Sequence, residues 1–269
     1  MTTGPATSSK PQRHALRHPS PRRAKRPIQL LWALACAETL TFVRQPAMIA
    51  LTLLLPAGLI AITAVTENSN NPQAWAHIAG RNLVAVQCIT VYFVALNTLT
   101  ARRHTLALKR LRTTALPNAG IITGLLVPPL LVGIVQILAV FTGLVILGAP
   151  LPQNPMWVAI SALLGIVIAD LAGITTSGFT STPEKAQWTM MPFFIAAMSA
   201  VSVLPAVDPG IARALAAVPL VANGHLATVG WHSDAMRVGP ILLDLIYMVA
   251  WIVILTLISW KTFRWERRH

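Results

Sequence analysis

The chain has 269 residues, of which 55% are hydrophobic and 11% are charged. Soluble domains carry about 25% charged residues, so this composition excludes an ordinary soluble globular enzyme. The net charge of +13 comes from 21 Lys and Arg against 8 Asp and Glu. Because the cations are grouped at the two ends and in one internal loop, they indicate membrane topology rather than a nucleic-acid-binding face.

The order of apolar segments predicts one membrane domain between two short tails. Residues 1–27 are rich in Pro, Ser, Arg and His and predict a disordered, basic cytoplasmic tail. The transmembrane domain is predicted over 28–260, and 261–269 is predicted to be a second cytoplasmic tail. A spanning helix requires about 20 mostly apolar residues. Six segments approach or meet this length, at 47–65, 78–100, 119–147, 156–179, 188–204 and 239–260. The predicted fold class is therefore an all-α integral membrane protein with six transmembrane helices.

Two further apolar segments are predicted to lie beside the spans rather than to cross the membrane. Residues 28–45 carry apolar side chains at helical spacing and predict an elbow helix in the cytoplasmic interface, with a break at Arg44 and Pro46. The alternative is that this helix only extends the first span. Residues 205–238 are interrupted by Pro and Gly and predict re-entrant helices in the outer leaflet, with a seventh span as the alternative.

The distribution of Lys and Arg predicts the orientation. Eighteen of these cations fall on one predicted side, and the other side has only Arg81, Arg213 and Arg237. Cytoplasmic loops of membrane proteins carry the excess of Lys and Arg, so both termini are predicted to be cytoplasmic. A seventh span would place the C-terminal cations outside. The sequence thus predicts a multi-pass protein of the cytoplasmic membrane whose basic face contacts anionic lipid.

The loop 101–118 is the most basic internal segment. Leu106, Leu108 and Leu111 are interleaved there with five cations, which predicts a short basic helix that ends before Pro117. Composition alone favours a solvated loop that lies on the lipid surface. An apolar ridge with a basic rim is also typical of a helix that docks onto a cytosolic partner.

Three stretches of the chain together resemble a known family. The first is FVRQP at 42–46, followed by LLLP at 53–56; the second runs over 105–124 and contains KRLRTTALP; the third lies within 181–220. In this order they resemble the permeases of ATP-binding-cassette transporters of the type-2 exporter class, which include drug- and antibiotic-efflux permeases. The sequence departs from the family pattern at Ala115, where the family usually has Pro.

The resemblance implies an assembly of two permeases and two ATPases that moves a lipophilic compound, peptide or lipid-linked molecule outward by alternating access. The second permease would be another copy of this chain or a homologous permease. The chain has no G-x-x-x-x-G-K-[ST] motif, so MgATP is expected on a separate ATPase subunit and no cofactor, metal ligand or catalytic residue is expected here.

The resemblance also assigns roles to named residues. The coupling segment that would contact the ATPase comprises Arg103, Thr105, Leu106, Leu108, Lys109, Arg110, Leu111, Arg112 and Thr113. The turn between elbow helix and first span, treated as a gate, comprises Glu38, Arg44, Pro46 and Pro56. The second cytoplasmic loop contributes Glu184 and Lys185.

Polar residues inside the predicted spans define competing functions. Asp170 lies near the middle of the fourth span, where an ionised carboxylate costs about 2.5–3.5 kcal/mol, and Asn97 and Gln136 are predicted to line the same translocation path. Asp170 is either a contact for a cationic substrate or proton, or a protonated packing residue. Asp244 lies nearer the outer end and is expected to reach water. The competing functions are an ATP-independent secondary transporter or channel and, less favoured, an intramembrane protease that uses the two Asp residues.

Overall fold

The computed structural model describes residues 27–67, 71–111, 117–232 and 238–263, and within these ranges the chain is helical without β-strands. The predicted tails lie outside the described residues, except that Pro27 and residues 261–263 belong to the domain. The helices in chain order are α1 (Pro27–Val43), α2 (Pro46–Thr66), α3 (Pro72–Val86), α4 (Phe93–His104), α5 (Ala107–Leu111), α6 (Asn118–Ile146), α7 (Pro155–Ser177), α8 (Pro183–Val203), α9 (Pro209–Ala216), α10 (Val221–Trp231) and α11 (Val238–Thr262).

Five helices of the described chain are long and apolar enough to cross a membrane. One is the continuous helix Pro72–His104, in which the π-helical turn Gln87–Tyr92 joins α3 to α4. The others are α6, α7, α8 with its 3₁₀ turn, and α11. These five coincide with the second to sixth predicted spans, and α2 occupies the position of the first. The all-α prediction is therefore confirmed, and the multi-pass character is supported by five helices.

Contacts between helix ends fix the direction of each helix. Arg103, near the end of α4, donates to the carbonyl of Ser177 at the end of α7. Thr262, the last residue of α11, lies against Gly178. Near the start of α6, Ile121 belongs to the same buried cluster as residues at the end of α4. Since α4, α7 and α11 end where α6 begins, successive long helices run in alternating directions. Helix α1 packs against α6 at this end of the bundle, which we therefore call the elbow end.

The segment between α8 and α11 lies at the opposite end of the bundle, which we call the re-entrant end. The backbone amides of Gln153 and Asn154, just before α7, donate to the carbonyls of Trp231 and Gly230 at 3.0 and 2.9 Å. The described part of 205–238 consists of a 3₁₀ turn and the short helices α9 and α10. No helix of spanning length is formed in the described part of this segment, so it gives no support to a seventh span.

The helix Pro72–His104 is the most enclosed of the five, since 78% of the residues in its apolar 18-residue stretch are buried. Its first half packs against α10 through two glycines. A Cβ atom added at Gly80 would clash with the carbonyl oxygen of Gly224 and the hydroxyl of Thr228. Small residues allow helix backbones to approach closely inside membranes. The Gly80–Gly224 contact thus positions α10, although α10 is too short to span.

We expect Gly80→Ala to destabilise the protein, because the clash is with backbone that cannot move aside without shifting α10. Overpacking of this kind costs about 1–3 kcal/mol. Thermal unfolding of the detergent-purified protein measures the change. Gly58→Ala is the matched control, since it also replaces a helical glycine but has open space around its Cβ position. Equal melting temperatures for the two variants would contradict the close contact.

Candidate functional site

Helices α1 and α2 are separate, with a break at the predicted turn. Gln45 is extended and precedes Pro46, and a proline fits the first turn of a helix because its missing N–H has no intrahelical partner there. Arg44 and Pro46 are exposed, whereas Pro56 is buried inside α2. Helix α1 therefore ends at this break and does not continue into α2.

Helix α1 packs on the start of α6 and presents apolar side chains outward. A Cβ atom at Gly124 would lie 2.8 Å from a methyl group of Leu34, so the glycine lets α1 lie close to α6. On the other side of α1, Ile28 and Trp32 are more than two-thirds exposed. Such a surface suits contact with lipid at the membrane boundary.

An ion pair joins α1 to the end of α4. The Nη2 atom of Arg102 lies 2.5 Å from Oε2 of Glu38, and the carboxylate is the more buried partner. Beside this pair is a groove of about 280 Å³. Its polar lining residues include Glu38, Thr41, Gln45, Asn97, Thr98 and Thr105. The structure thus brings α1, Asn97 and the start of the predicted coupling segment together. Asn97 lies in this groove, away from Gln136.

Arg103 is buried, in contrast to the surface position that the basic loop suggested. Its Nη1 atom donates to the carbonyl of Ser177 at 2.9 Å, and Nη2 donates to the carbonyl of Thr180. Cations are stabilised at helix C-termini, where carbonyl groups lack intrahelical donors. The guanidinium therefore fixes the end of α7 to the end of α4, and Arg103 cannot be part of an exposed docking surface in this structure.

The three leucines of the coupling segment have different environments. Leu108 is fully buried and packs with Leu99, Ile121 and Leu125. Leu111 is half-buried, and Leu106 is 47% exposed in a left-handed conformation with φ of 59°. Leucine rarely adopts positive φ, so packing of α5 holds this turn. Leu108 anchors α5, and Leu106 is the leucine that faces outward.

The rest of the coupling segment is described in part. Thr105 caps the C-terminus of α4, and its hydroxyl donates to the carbonyl of Ala101 at 3.0 Å. Lys109 and Arg110 belong to the backbone of α5, and Arg112 and Thr113 lie outside the described residues.

The second predicted cytoplasmic loop lies at the same end of the bundle. Glu184 and Lys185 are exposed in the first turn of α8, where an acidic side chain is favoured by the helix dipole. The charge of Glu184 is close enough to His104 to interact with it. The structure therefore gathers α1, the coupling segment and the second loop at the elbow end.

A buried polar chain crosses the middle of the bundle. The hydroxyl of Thr90, in the π-helical turn, donates to Gln136 Oε1 at 2.5 Å. Gln136 Nε2 in turn donates to the carbonyl of Thr52 in α2 at 3.2 Å. Gln136 is thus a hydrogen-bonded link between α6, α2 and the central helix.

A second buried amide pair uses residues that the sequence did not single out. Asn223 Nδ2 donates to Gln87 Oε1 at 2.5 Å, and Gln87 Nε2 donates to the carbonyl of Ala162 at 3.2 Å. Gly165 makes room for both amides. In the sequence, only the presence of a glutamine within an apolar segment could have pointed to Gln87. Its π-helical turn, a feature that is frequent at functional sites, has no sequence signature.

The two intramembrane acids differ in their partners. Asp170 is 7% exposed, and its Oδ1 atom has no hydrogen-bond partner among the described residues. Asp244 was expected to reach water, but its side chain is 3% exposed and its Oδ2 lies 2.7 Å from Nδ1 of His225. The expectation failed because α10 covers this part of α11 and supplies the imidazole.

The scan against protein-family models and the search of curated proteins both find no match for this chain. The structure itself defines the class as an all-helical protein with five helices suited to span a membrane. Within the described residues, no group of three or more His, Cys, Asp and Glu side chains forms a metal site.

We expect Arg103→Met to reduce stability more than Arg102→Met, although the two arginines are neighbours. Losing Arg103 leaves buried carbonyls without their charged donor, and a hydrogen bond from a charged group is worth about 1.5–3 kcal/mol. The Arg102–Glu38 pair is partly exposed, and such pairs are worth at most about 1 kcal/mol. Urea unfolding monitored by circular dichroism in detergent compares the two variants. A larger loss for Arg102→Met would show that the buried contact is unimportant.

Proposed function

We propose that this chain is the permease subunit of an export-type ATP-driven transporter. The observation that carries the proposal is the assembly at the elbow end. A separate helix, α1, is tied by Glu38–Arg102 to the end of α4, from which the short helix α5 follows directly. This arrangement matches what the family resemblance implies for an elbow helix and a coupling helix. The re-entrant helices α9 and α10 occupy the opposite end.

The proposed coupling begins at the outward-facing turn of Leu106. A groove on the ATPase would receive this leucine and the basic side chains around it, as apolar ridges with charged rims do in helix-in-groove recognition. Since Leu108 and Arg103 fix the segment to α4, α6 and α7, closure of the ATPase would move these helix ends as a rigid body. ATP binding must favour one permease conformation over another for transport to follow.

The proposed assembly contains a separate ATPase subunit that carries MgATP, and a second permease. Closed two-fold symmetry is the usual arrangement for such pairs, and we propose a homodimer, with a homologous permease as the alternative. The assembly would lie in the cytoplasmic membrane with both termini inside and would move a lipophilic compound, peptide or lipid-linked molecule outward. The basic elbow end would contact anionic lipid.

We expect Leu106→Asp to lower the permease-dependent ATPase activity of the complex by at least about tenfold, since loss of a central apolar anchor typically costs 2 kcal/mol or more of binding energy. The proposed partner is a separate P-loop ATPase, to be sought among the genes next to that of this chain and purified with it. Co-purification measures assembly, and phosphate release in proteoliposomes measures turnover.

Leu151→Asp is the matched control, because Leu151 is also an exposed leucine outside the long helices but lies at the re-entrant end. It should retain assembly and turnover. If Leu106→Asp assembles and hydrolyses ATP like Leu151→Asp, the coupling role of this segment is wrong.

A second candidate function is ATP-independent secondary transport. It is favoured by Asp170, whose buried carboxyl oxygen lacks a hydrogen-bond partner among the described residues. Intramembrane acids mark proton and ion paths in secondary transporters. The exporter proposal instead treats Asp170 as a packing residue of α7.

We expect Asp170→Asn to export lipophilic dyes at an unchanged rate from about pH 6 to about pH 8, because an ATP-driven pump needs no titrating carboxyl in its path. Dye efflux from proteoliposomes that contain the permease and its ATPase measures this. Asn97→Asp serves as a comparison that adds an acid at the groove near the elbow end. Dye movement driven by a pH gradient without ATPase, and abolished by Asp170→Asn, would favour the secondary transporter.

A further inference from the structure

A cavity of about 540 Å³ opens at the re-entrant end, between α9, α10 and the start of α11. Ligand pockets in proteins commonly measure about 300–1,000 Å³ and combine apolar walls with a few converging polar groups. The apolar wall residues include Leu204, Pro209, Ala212, Ala216, Pro240 and Leu243. Three chargeable side chains also line the cavity, namely Arg213, His225 and Asp244.

The three chargeable groups differ in their burial and in their partners. Asp244 is almost completely buried, and its Oδ2 atom lies 2.7 Å from Nδ1 of His225, so its carboxyl group is already engaged inside the wall. Arg213 comes from the last turn of α9 and is exposed. It forms no ion pair with an acid in the described part of the chain. Among the described lining residues, Arg213 is therefore the cation that has no paired acid, and it lies beside an apolar wall.

We propose that this cavity binds an amphipathic monoanion, a molecule with one carboxylate or phosphate-ester charge and an apolar body. The anion would meet the guanidinium of Arg213, which suits carboxylates and phosphates because of its planar, bidentate donors. The apolar body would lie along Leu204, Ala212 and Leu243. A cation is disfavoured, since Asp244, the only acid among the described lining residues, is already paired with His225. This site does not depend on the exporter function, because binding requires neither ATP nor a partner.

The His225–Asp244 pair gives the site a second observable. Burial opposes charging of the imidazole, but the hydrogen bond and charge of Asp244 outweigh burial, so the pKa of His225 lies above its ordinary value. The other titratable groups near it are His77 of α3, which interacts with it electrostatically, and Arg213 across the cavity. As the pH falls through this pKa, His225 gains a proton and the cavity gains positive charge. Binding of an anion should therefore strengthen toward acidic pH.

Photolabelling tests the site with the full chain in lipid nanodiscs. The probe is a medium-chain carboxylic acid that carries a diazirine, and its methyl ester and the corresponding amine are the neutral and cationic comparisons. Labelled peptides are identified by mass spectrometry. We expect the acid to label α9 and the start of α11 more strongly than the ester or amine, and more strongly at pH 6 than at pH 8, since about half of an ordinary His is charged near pH 6.5.

Substitutions at Arg213 separate charge from fold. Arg213→Gln should reduce labelling by the acid about tenfold, in line with loss of a charge-assisted hydrogen bond, whereas Arg213→Lys should retain most of it. Arg81→Gln is the control, because Arg81 is a cation of α3 that does not line the cavity. Elution volume on size-exclusion chromatography reports that each variant is folded.

Three results would overturn the site. The first is equal labelling of these peptides by acid, ester and amine, and the second is stronger labelling by the amine. The third is labelling by the acid that Arg213→Gln leaves unchanged. The source of the natural anion is distinguished by the lipid: suppression of labelling in phosphatidylglycerol nanodiscs relative to phosphatidylcholine supports a site for lipid headgroups, and equal labelling supports a site for a free amphipathic solute.

Discussion

The central helix Pro72–His104 imposes the constraint on which the rest of the bundle depends. It is enclosed by its neighbours for most of its length, yet it carries amide and hydroxyl side chains. Polar groups buried away from water must find partners inside the protein. Gln87 accepts a hydrogen bond from Asn223 of α10, and Thr90 donates one to Gln136 of α6. These bonds specify which faces of α6 and α10 contact the central helix, whereas apolar contact alone between membrane helices is weakly directional.

The need to fix how one helix lies against another also explains the two ion pairs of the described chain. Each joins a short helix that does not span to a long one: Glu38 of α1 meets Arg102 of α4, and His225 of α10 meets Asp244 of α11. A short helix at the edge of a membrane buries too little surface to fix its own position. A specific polar pair favours one register over its neighbours, even where its net contribution to stability is small.

The long helices were predictable from the sequence because apolar run length is a local property, and all six predicted spans fall on helices. The break before Pro46 was equally readable, since proline acts on its own turn. The environments of Arg103, Leu108 and Asp244 were not. Arg103 and Leu108 fall in a predicted loop and Asp244 near the outer end of a predicted span, so each looks solvent-exposed until the helix that packs over it is known. These helices are α7, α6 and α10, respectively. The π-helical turn and the left-handed Leu106 likewise arise from packing rather than from residue type.

The burial of Leu108 and Arg103 determines how the proposed coupling segment would transmit motion to the long helices. A loosely attached helix could tilt on its own when a partner binds, and the motion would end there. Here α5 is joined through Leu108 to the core between α4 and α6, and the preceding arginine is bonded to the carbonyls that end α7. A force applied at the exposed Leu106 therefore reaches three long helices at once. Because packed interfaces are bistable rather than continuously deformable, such a force would reposition those helix ends together. The proposed permease function requires this property of the segment that would contact the ATPase.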